Sequence, residues 1–423
     1  MIGAKAQSLP ESQFGIASTK VRWVVSGSFM QSIPRFISTA PDGVTDEREF
    51  LNEYFDSPGK LHSLTFFKGY QWPFDARKAI NGSSILDILV YIETIQKGRR
   101  VFLDYRTDPY GYEPNFLDPE VLAFLKKSNA ESARPIERLR ALNPDAYAFY
   151  LEHGINLQQE PLEVGVCAQH NNGGLAANIW WESENIRHLF PIGEVNGSHG
   201  VARPGGTALN SGQVGGFRAA DYISHRYAGW TINREVLVDK AQGSVEALIH
   251  WARKSQKNQQ TSWQREGSEL KHRMSAYGGH IRHLESCRKG VQAARQQWLR
   301  IQNEGCGFSD REALWEALRI RHLCFAQLIY LEAILYQLES IVGSRGSSIV
   351  LQLEGVPLLS GLSGAWNIQE ENKAYQSRVL ETVANSDSEI HSTWVPKREV
   401  PEFQSWFETD WERFRSGQIY SEG

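Results

Sequence analysis

The chain has 423 residues, a formal net charge of −4, 41% hydrophobic residues and 22% charged residues. This length and composition are typical of a globular protein with roughly two to four domains and enough apolar side chains for their cores. The slightly acidic balance and the lack of a basic run exclude the usual electrostatic signature of a nucleic-acid or anionic-membrane partner.

The cysteines and the most apolar segment bear on compartment and membrane insertion. The stretch at 323–342, "LCFAQLIYLEAILYQLESIV", is interrupted by glutamines and glutamates, so it predicts a buried bundle helix and no transmembrane segment. The first fifteen residues lack the apolar region of a signal peptide. No cysteine spacing suits zinc or a disulfide framework, which favours a reducing, cytoplasmic compartment: Cys167, Cys287, Cys306 and Cys324.

The first 162 residues contain both strand and helix patterns. Residues 1–40 are rich in Val, Phe and Ile with short alternations, which predicts strands and turns. Between 41 and 162 the pattern is mixed. "SSILDILVYIETIQKG" predicts an amphipathic helix, "RRVFLDYR" a strand, and "PEVLAFLKKSNA" and "NPDAYAFYLEHG" two short helices, the second opened by Asn143-Pro144.

After residue 162 the sequence pattern again predicts strands, and these are followed by predicted helices. "LEVGVCAQ", "LAANIWWES" and "HLFPIGEV" predict three strands, and "VGGFRAADYISHRYAGW" has helical period. Residues 232–345 are helical, and Ser309 with Glu312 forms a capping-box pattern. From 346 to 423 the pattern is irregular. The order indicates an α/β protein in which residues 41–162 are inserted between two sequence-distant parts of one domain.

The glycine-rich segment 194–223, "EVNGSHGVARPGGTALNSGQVGGFRAADYI", is the strongest candidate site. A strand, a glycine turn and a helix N-terminus together favour anions or carbonyl oxygens. Gly205 and Gly206 remove side chains where a planar ring can lie. Glu194 is placed to accept hydrogen bonds from hydroxyls, and Arg203 to bind a carboxylate with two parallel bonds. The same pattern also fits an ordinary turn with a surface arginine.

A second strand-end segment, "CAQHNNGGLA", carries a histidine. His170 precedes Gly173-Gly174 at the end of a predicted strand, about one strand-turn-strand unit before Arg203. A histidine at such a place is either a satisfied structural residue or part of the same site.

Together the two segments resemble the C-terminal part of the flavoprotein family of succinate dehydrogenase, fumarate reductase and L-aspartate oxidase. "HNNGG", "HLFPIGEV" and "GSHGVARPGGTALNSGQVGG" follow the order of the family's H-Y-x-x-G-G, G-E and G-x-H-G-A-N-R-x-G-G-N-S-L motifs. "YQWPFDARKAI" and "GRRVFLDYR" resemble segments of the family's capping domain. The resemblance implies a partial FAD-binding, Rossmann-like domain (1–40 and 163–231), an inserted α+β capping domain (41–162), a helical domain (232–345) and an irregular C-terminal region (346–423).

The resemblance also implies roles for individual residues. His170 and Arg203 match the residues that hold a substrate carboxylate, and Glu194 matches the residue that bonds the hydroxyls of the flavin. Ala208 and Leu209 match the pair whose backbone meets the flavin ring, beside Gly205 and Gly206. The implied function is an FAD-dependent oxidoreductase that moves a hydride between flavin and a small carboxylate, with an electron-transfer partner.

Three departures from the family pattern support an alternative. No G-x-G-x-x-G fingerprint for the FAD pyrophosphate is found, so the chain corresponds to a family member without its N-terminal half. The arginine that delivers the proton has no clear match, and the candidates are Arg22, Arg35 and Arg77. Asn171, Asn172 and Ala208 replace the usual Tyr, its neighbour and Ser. The alternative is a non-catalytic or incomplete subunit that cannot bind FAD without the missing half.

Three further histidines are candidates for ligand contacts. His199, in "GSHG", is either a turn residue or a flavin contact. His280 and His283 have a spacing that suits a metal pair, but the sequence offers no third ligand. We therefore expect them on a solvated helix face and expect no metal site.

Overall fold

The computed structural model describes residues 10–17, 20–21, 23–25, 27–71, 73–131, 134–201, 206–258, 260–385, 389–399 and 407–420; at 10–14, 16, 168–171, 198 and 407–409 it describes the backbone alone. The helices are α1 Ser28–Gln31, α2 Pro58–Lys68, α3 Ile85–Tyr91, α4 Pro119–Lys127, α5 Pro135–Leu142, α6 Pro144–Glu152, α7 Thr207–Arg226, α8 Arg234–Lys257, α9 Trp263–Tyr277, α10 Leu284–Glu304, α11 Arg311–Glu339 and α12 Phe407–Arg415. The strands are β1 Pro10–Ile16, β2 Arg35–Thr39, β3 Arg100–Asp104, β4 Leu162–Asn171, β5 Ile281–Arg282, β6 Ile349–Pro357, β7 Asn367–Ile368, β8 Arg378–Ala384 and β9 Ile390–Pro396.

The contacts divide the chain into two compact units. One unit comprises 10–170 and 344–370, and the other comprises 171–343 and the described residues that follow 370. The division into domains expected at 40, 162 and 345 stays a prediction; by contacts, residues 10–40 and 344–370 group with 41–162. No helix in the described part of the chain is both long and apolar enough to cross a membrane.

The unit formed by 10–170 and 344–370 contains a four-stranded sheet in the order β1-β4-β3-β2. β3 pairs with β2 and β4 in antiparallel fashion, with Phe36 opposite Leu103 and Val101 opposite Val164. The strand expected in "RRVFLDYR" is thus confirmed as β3. β6 and β7 form a further antiparallel pair.

Proline sets the start of four helices in this unit. α2, α4, α5 and α6 each have Pro near the first helical position, where the missing N–H costs nothing and the fixed φ suits a helix. Asn143 caps α6, and its Oδ1 accepts a hydrogen bond of 3.0 Å from the Ala146 N–H. The helices expected around 119–130 and 143–154 are confirmed. The helix expected at 83–98 is split, because α3 continues as a wider π turn over Ile92–Gln96.

The other unit is built around the bundle of α9, α10 and α11. Its apolar core includes Leu328 and Ile301, both fully buried, and the half of α8 that carries Trp251. The N-cap of α11 is Asp310, whose Oδ1 accepts a hydrogen bond of 2.9 Å from the Ala313 N–H. The expected cap at Ser309 is wrong by one residue, since the Ser309 hydroxyl donates to Asp310 instead.

Residues 346–423, expected to be irregular, contain regular structure. β8 and β9 form an antiparallel hairpin with Arg378 opposite Pro396 and Ala384 opposite Ile390. Leu380 and Ala384 on β8 are buried while Glu381 and Val383 are half-exposed, a half-buried alternation that the sequence pattern only weakly displays.

Candidate functional site

A tight crossing of two backbone segments forms the base of the candidate site. The Leu175 N–H donates to the Val195 carbonyl at 2.8 Å, and the Gly197 N–H donates to the Leu175 carbonyl at 3.1 Å. Leu175 and Asn196 form an isolated parallel bridge. A Cβ on Gly174 would lie 2.2 Å from the Val195 carbonyl oxygen, a distance that no real Cβ reaches. The glycine is therefore required for the two segments to touch.

Glu194 lies on a single 3₁₀ turn, Gly193–Val195, beside this crossing. Gly193 has a φ of 75°, and a Cβ there would lie 3.3 Å from the Cα of Gly212 in α7. The turn thus backs directly onto α7. The expectation that "HLFPIGEV" is a strand ending in Gly193-Glu194 is wrong, although Glu194 is exposed next to the glycine segment.

The segment leads into the N-terminus of the 20-residue helix α7. The N-cap Gly206 has a φ of 80°, a left-handed conformation that L side chains rarely adopt. Among the described residues no atom lies within 4 Å of the place a Cβ would take, so the backbone is open there. In the first turn Ala208 is half-buried and Leu209 is 79% exposed. Such a helix end carries partial positive charge and N–H groups that suit electron-rich ligands.

Bulky aromatic residues support α7 from behind. The Trp180 ring stacks on Tyr222 at 5.4 Å, with an interplanar angle of 15°, and contacts Tyr420 at 5.0 Å. A Cβ on Gly215 would lie 2.8 Å from the Trp181 ring, so the indole sits directly on the helix backbone. The expected strand "LAANIWWES" is wrong: this segment is a turn-rich loop whose rings pack on α7.

A carboxylate fixes the far end of that loop. Glu182 Oε1 accepts hydrogen bonds from the Tyr227 hydroxyl at 2.6 Å and from the His188 N–H at 2.8 Å. Burial and the bond to Glu182 raise the pKa of Tyr227 to about 12, so the phenol remains a donor at neutral pH. These contacts hold the loop between the two segments that cross at Gly174.

The structure describes three of the predicted site residues only in part or not at all. Arg203 and Gly205 lie outside the described residues. His170 is the penultimate residue of β4, and its backbone alone is described. A shared site for His170 and Arg203 therefore stays a prediction, whereas Glu194, Gly206 and Ala208 lie within one compact unit.

Two of the three arginines considered for proton delivery, Arg35 and Arg77, are paired with carboxylates. The Arg35 guanidinium donates to Asp104 Oδ2 at 2.6 Å and to Glu47 Oε1 at 3.1 Å. Arg77 is largely exposed and pairs with Asp75 at 2.6 Å. Arg22 lies outside the described residues.

The other three histidines considered lie in turns or at the start of a helix. His199 ends a second 3₁₀ turn, Gly197–His199. His280 is buried in the turn before β5, so the expectation of a solvated helix face is wrong for it, whereas His283 is exposed as the N-cap residue of α10. In the part of the chain that the structure describes, no group of three or more metal-ligating side chains comes together.

The sequence did not predict the close contacts that α7 makes with the Gly193 turn and with Trp181. Gly212 and Gly215 look like weak points of a helix, but each faces a close neighbour, Gly193 and Trp181 respectively. Repeated glycine inside a helical pattern is the signal that indicates such an approach.

The chain is similar to known proteins over a short segment in sequence and over nearly its whole length in structure. No family model matches the chain. A segment of 71 residues is 42% identical to one subunit of the fumarate reductase (CoM/CoB) of Methanothermobacter marburgensis, covering 16% of this chain and 13% of that protein. A segment of 68 residues is 46% identical to an uncharacterized FAD-dependent oxidoreductase of Methanocaldococcus jannaschii, covering 16% and 12%.

Solved structures match over nearly the whole chain. The FrdA chain of E. coli quinol fumarate reductase aligns with a TM-score of 0.60 at 15% identity, covering 94% of this chain and 61% of that one. Mycobacterium smegmatis Sdh1 in complex with UQ1 aligns with a TM-score of 0.55 at 16% identity, covering 95% and 57%. The chain thus spans about three fifths of the length of these structures. It is a mixed α/β chain that shares the fold of these fumarate reductase and Sdh1 chains over nearly all its length, and over about 70 residues it is similar in sequence to the fumarate reductase (CoM/CoB) subunit of M. marburgensis and to the FAD-dependent oxidoreductase of M. jannaschii.

Proposed function

We propose that the chain is an FAD-dependent oxidoreductase of the fumarate reductase and succinate dehydrogenase type, acting on a small carboxylate. The supporting observation is the glycine-lined backbone at Gly193 and Gly206, which leads into the bare N-terminus of α7. In this proposal 1–40 and 163–231 belong to the flavin domain, 41–162 to the capping domain and 232–345 to the helical domain.

The described residues fit one edge of a flavin. The open backbone at Gly206 accommodates a flat ring, because no described side chain projects there. The positive end of α7 stabilises negative charge at that edge, with Ala208 and Leu209 supplying backbone groups. Glu194 accepts hydrogen bonds from the hydroxyls of the cofactor chain. When bound, FAD supplies the acceptor or donor of a hydride.

The substrate carboxylate is assigned to His170 and Arg203. An arginine binds a carboxylate through two parallel charge-assisted hydrogen bonds, and this orients the carbon that reacts. His170 donates a further hydrogen bond and stabilises charge that develops on the carboxylate side. Removing Arg203 therefore affects substrate turnover more than flavin binding.

A flavin titration tests the proposal. The purified full chain is mixed with FAD, and binding is followed by flavin absorbance and fluorescence. We expect Gly206→Ala to weaken binding about tenfold or more, because a Cβ at a φ of 80° displaces the helix start. Gly98→Ala is the matched control, since Gly98 has a φ of 67° and no described neighbour within 4 Å of a Cβ, but lies in the other compact unit.

A substrate assay tests the carboxylate role. The FAD-loaded chain is reduced with an artificial electron donor, and reoxidation by small unsaturated dicarboxylates, whose double bond accepts the hydride and a proton, is measured. Arg203→Lys keeps the charge but loses the two-pronged geometry, so we expect kcat/KM to fall at least about a hundredfold with unchanged flavin content. Equal turnover of the variant and the parent chain would remove Arg203 from the site.

A second candidate is an incomplete subunit that needs another polypeptide, carrying the pyrophosphate-binding part, before FAD binds. The observation that favours it is the apolar outer face of α7, where Leu209, Phe217 and Val214 are at least half exposed. Under this candidate the titration shows no flavin uptake by the chain alone, and Gly206→Ala changes nothing.

A further inference from the structure

The most conspicuous surface outside the candidate site is on α8. No residue from 234 to 250 is buried, and the first buried residue is Trp251, whose indole N–H donates to the Ile301 carbonyl at 2.8 Å. The C-terminal part of α8 is therefore anchored in the bundle while the preceding four turns are not. Six large apolar side chains are exposed on those turns: Val236, Leu237, Val238, Val245, Leu248 and Ile249.

The spacing of the apolar residues is that of a helix that packs on another helix. Val238, Ala241, Val245, Leu248 and Ala252 follow one another at intervals of three, four, three and four. This alternation places them in one line along the helix, as at the a and d positions of a coiled coil. We call these five residues the α8 stripe. Val238, Val245 and Leu248 of the stripe are exposed, whereas Ala241 is half-buried and Ala252 also packs on the core of the bundle. Exposed apolar side chains in one line mark an interaction site.

The charges beside the stripe indicate which occupant fits. Glu235 and Asp239 lie at its N-terminal end, and Arg253 and Lys257 lie at its C-terminal end. Glu235 and Arg253 are separated by five full helical turns, as are Asp239 and Lys257, so each pair lies on one side of the helix. None of the four forms an ion pair within the described residues. One flank of α8 is thus acidic at one end and basic at the other.

We propose that the α8 stripe is the docking surface for a second copy of this chain, with the two α8 helices antiparallel. A two-fold axis near residue 244 places the stripe of one copy against the stripe of the other. The same rotation brings Glu235 of each copy opposite Arg253 of its partner, on the same flank. The apolar line and the Glu235–Arg253 pair are then both self-complementary, whereas Asp239 and Lys257, whose midpoint is residue 248, are not placed opposite each other. This inference is independent of the proposed flavin chemistry.

The size of the stripe sets the strength of the association. Fifteen residues of helix, from 238 to 252, span about 21 Å. A single helix pair of this length is at the small end of specific interfaces, so we expect a reversible, concentration-dependent dimer. Sedimentation or light scattering over a concentration series of the full chain measures it. If the chain stays monomeric up to its solubility limit, the proposal is wrong.

Charge reversal separates this arrangement from other modes of association. Glu235→Arg alone sets two arginines against each other, and Arg253→Glu alone sets two glutamates together, so each variant dimerises at least about tenfold more weakly than the parent. When the two variants are mixed, a heterodimer forms in which both 235–253 contacts join an arginine to a glutamate, whereas neither variant alone has such a contact, and it is detected with a mass tag on one variant. Failure of the mixture to associate better than either variant alone excludes the antiparallel pairing.

An apolar substitution checks the stripe itself. Val245→Lys at the centre of the stripe weakens the dimer about a hundredfold, since the change occurs twice in each interface. The matched control is Leu299→Lys on α10, where the side chain is 53% exposed and outside the stripe. Circular dichroism confirms that α8 remains helical in both. Equal weakening by the two variants overturns the assignment to α8.

Discussion

Two neighbouring glycines in α7 give opposite predictions for the same substitution. A Cβ on Gly215 would lie 2.8 Å from Cε2 of Trp181, whereas a Cβ on Gly216 meets no described atom within 4 Å. Both residues lie in the interior of one helix. Replacing an exposed helical glycine by alanine lowers the entropy of the unfolded chain and stabilises a helix by about 0.5–1 kcal/mol. Gly216→Ala is therefore expected to raise the free energy of unfolding by about that amount.

Gly215→Ala gains the same helix propensity but must move the indole. A methyl group needs about 3.5 Å or more from a ring carbon, so Trp181 has to retreat by more than half an ångström. Trp181 has a φ of 67°, a conformation that leaves its backbone little room to adjust. Overpacking of this kind costs about 1–3 kcal/mol. The net effect is a loss of about 1–2 kcal/mol and a gap of about 2 kcal/mol between the two variants.

Thermal unfolding followed by tryptophan fluorescence and far-UV circular dichroism measures this gap. At about 2–4 °C per kcal/mol for a unit of this size, Gly215→Ala should melt about 4–8 °C below Gly216→Ala. The parent chain should lie between them. A Gly215→Ala variant as stable as Gly216→Ala would refute the argument that the indole rests on the helix backbone.

Three further predictions concern a helix cap, a buried histidine and a buried ion pair. Asp310→Ala should cost about 1 kcal/mol of stability in urea unfolding and Ser309→Ala much less, because Asp310 caps α11; equal losses would contradict the cap assignment. Burial, with a smaller effect of a nearby arginine, lowers the pKa of His62 to about 4. The stability that comes from burying the neutral imidazole is therefore complete above pH 6.5 and is lost as the pH falls from there towards 4. An NMR titration of His62 with a midpoint near 6.5 would contradict this. Lys68→Met leaves the buried Asp87 carboxylate without the ammonium group 2.7 Å away and should cost about 3–5 kcal/mol, whereas the double change with Asp87→Leu should recover most of it in the same unfolding assay.

Local chemistry made some elements predictable from the sequence. α6 follows from Asn143-Pro144, because a capping side chain and a proline at the first position act within one turn. β3 follows from its run of apolar residues between charged ends. Such signals need no knowledge of distant residues.

The errors arose where distant contacts decide the local structure. Trp180 and Phe190 have high strand propensity, but both rings pack on the aromatic residues of α7, so the backbone follows the packing and not an alternating pattern. Gly193 looks like the end of a strand, but it allows a turn to approach Gly212. The cap of α11 moved by one residue because serine and aspartate compete for the same place, and Asp310 accepts the helix N–H.

The candidate site was predictable in kind but only partly in geometry. The glycine pattern correctly predicted a helix that begins after Gly206, and the turn that carries Glu194 contacts that helix at Gly212. It did not indicate that Gly174 permits a backbone crossing, since that contact joins segments about twenty positions apart. The role of Arg203 depends on a family resemblance, and the substitutions described above test it.

The ring contact between Trp180 and Tyr420 has a consequence for the order of assembly. Tyr420 follows Trp180 by more than half of the chain, and it also stacks on His225 near the end of α7. Synthesis proceeds from the N-terminus, so the loop that carries Trp180 leaves the ribosome long before the ring that completes its aromatic cluster. Until Tyr420 has been synthesised, the Trp180 ring can pack on Tyr222 but not on Tyr420. We therefore expect the cluster of Trp180, Tyr222 and Tyr420 to be completed only after the end of the chain has been synthesised.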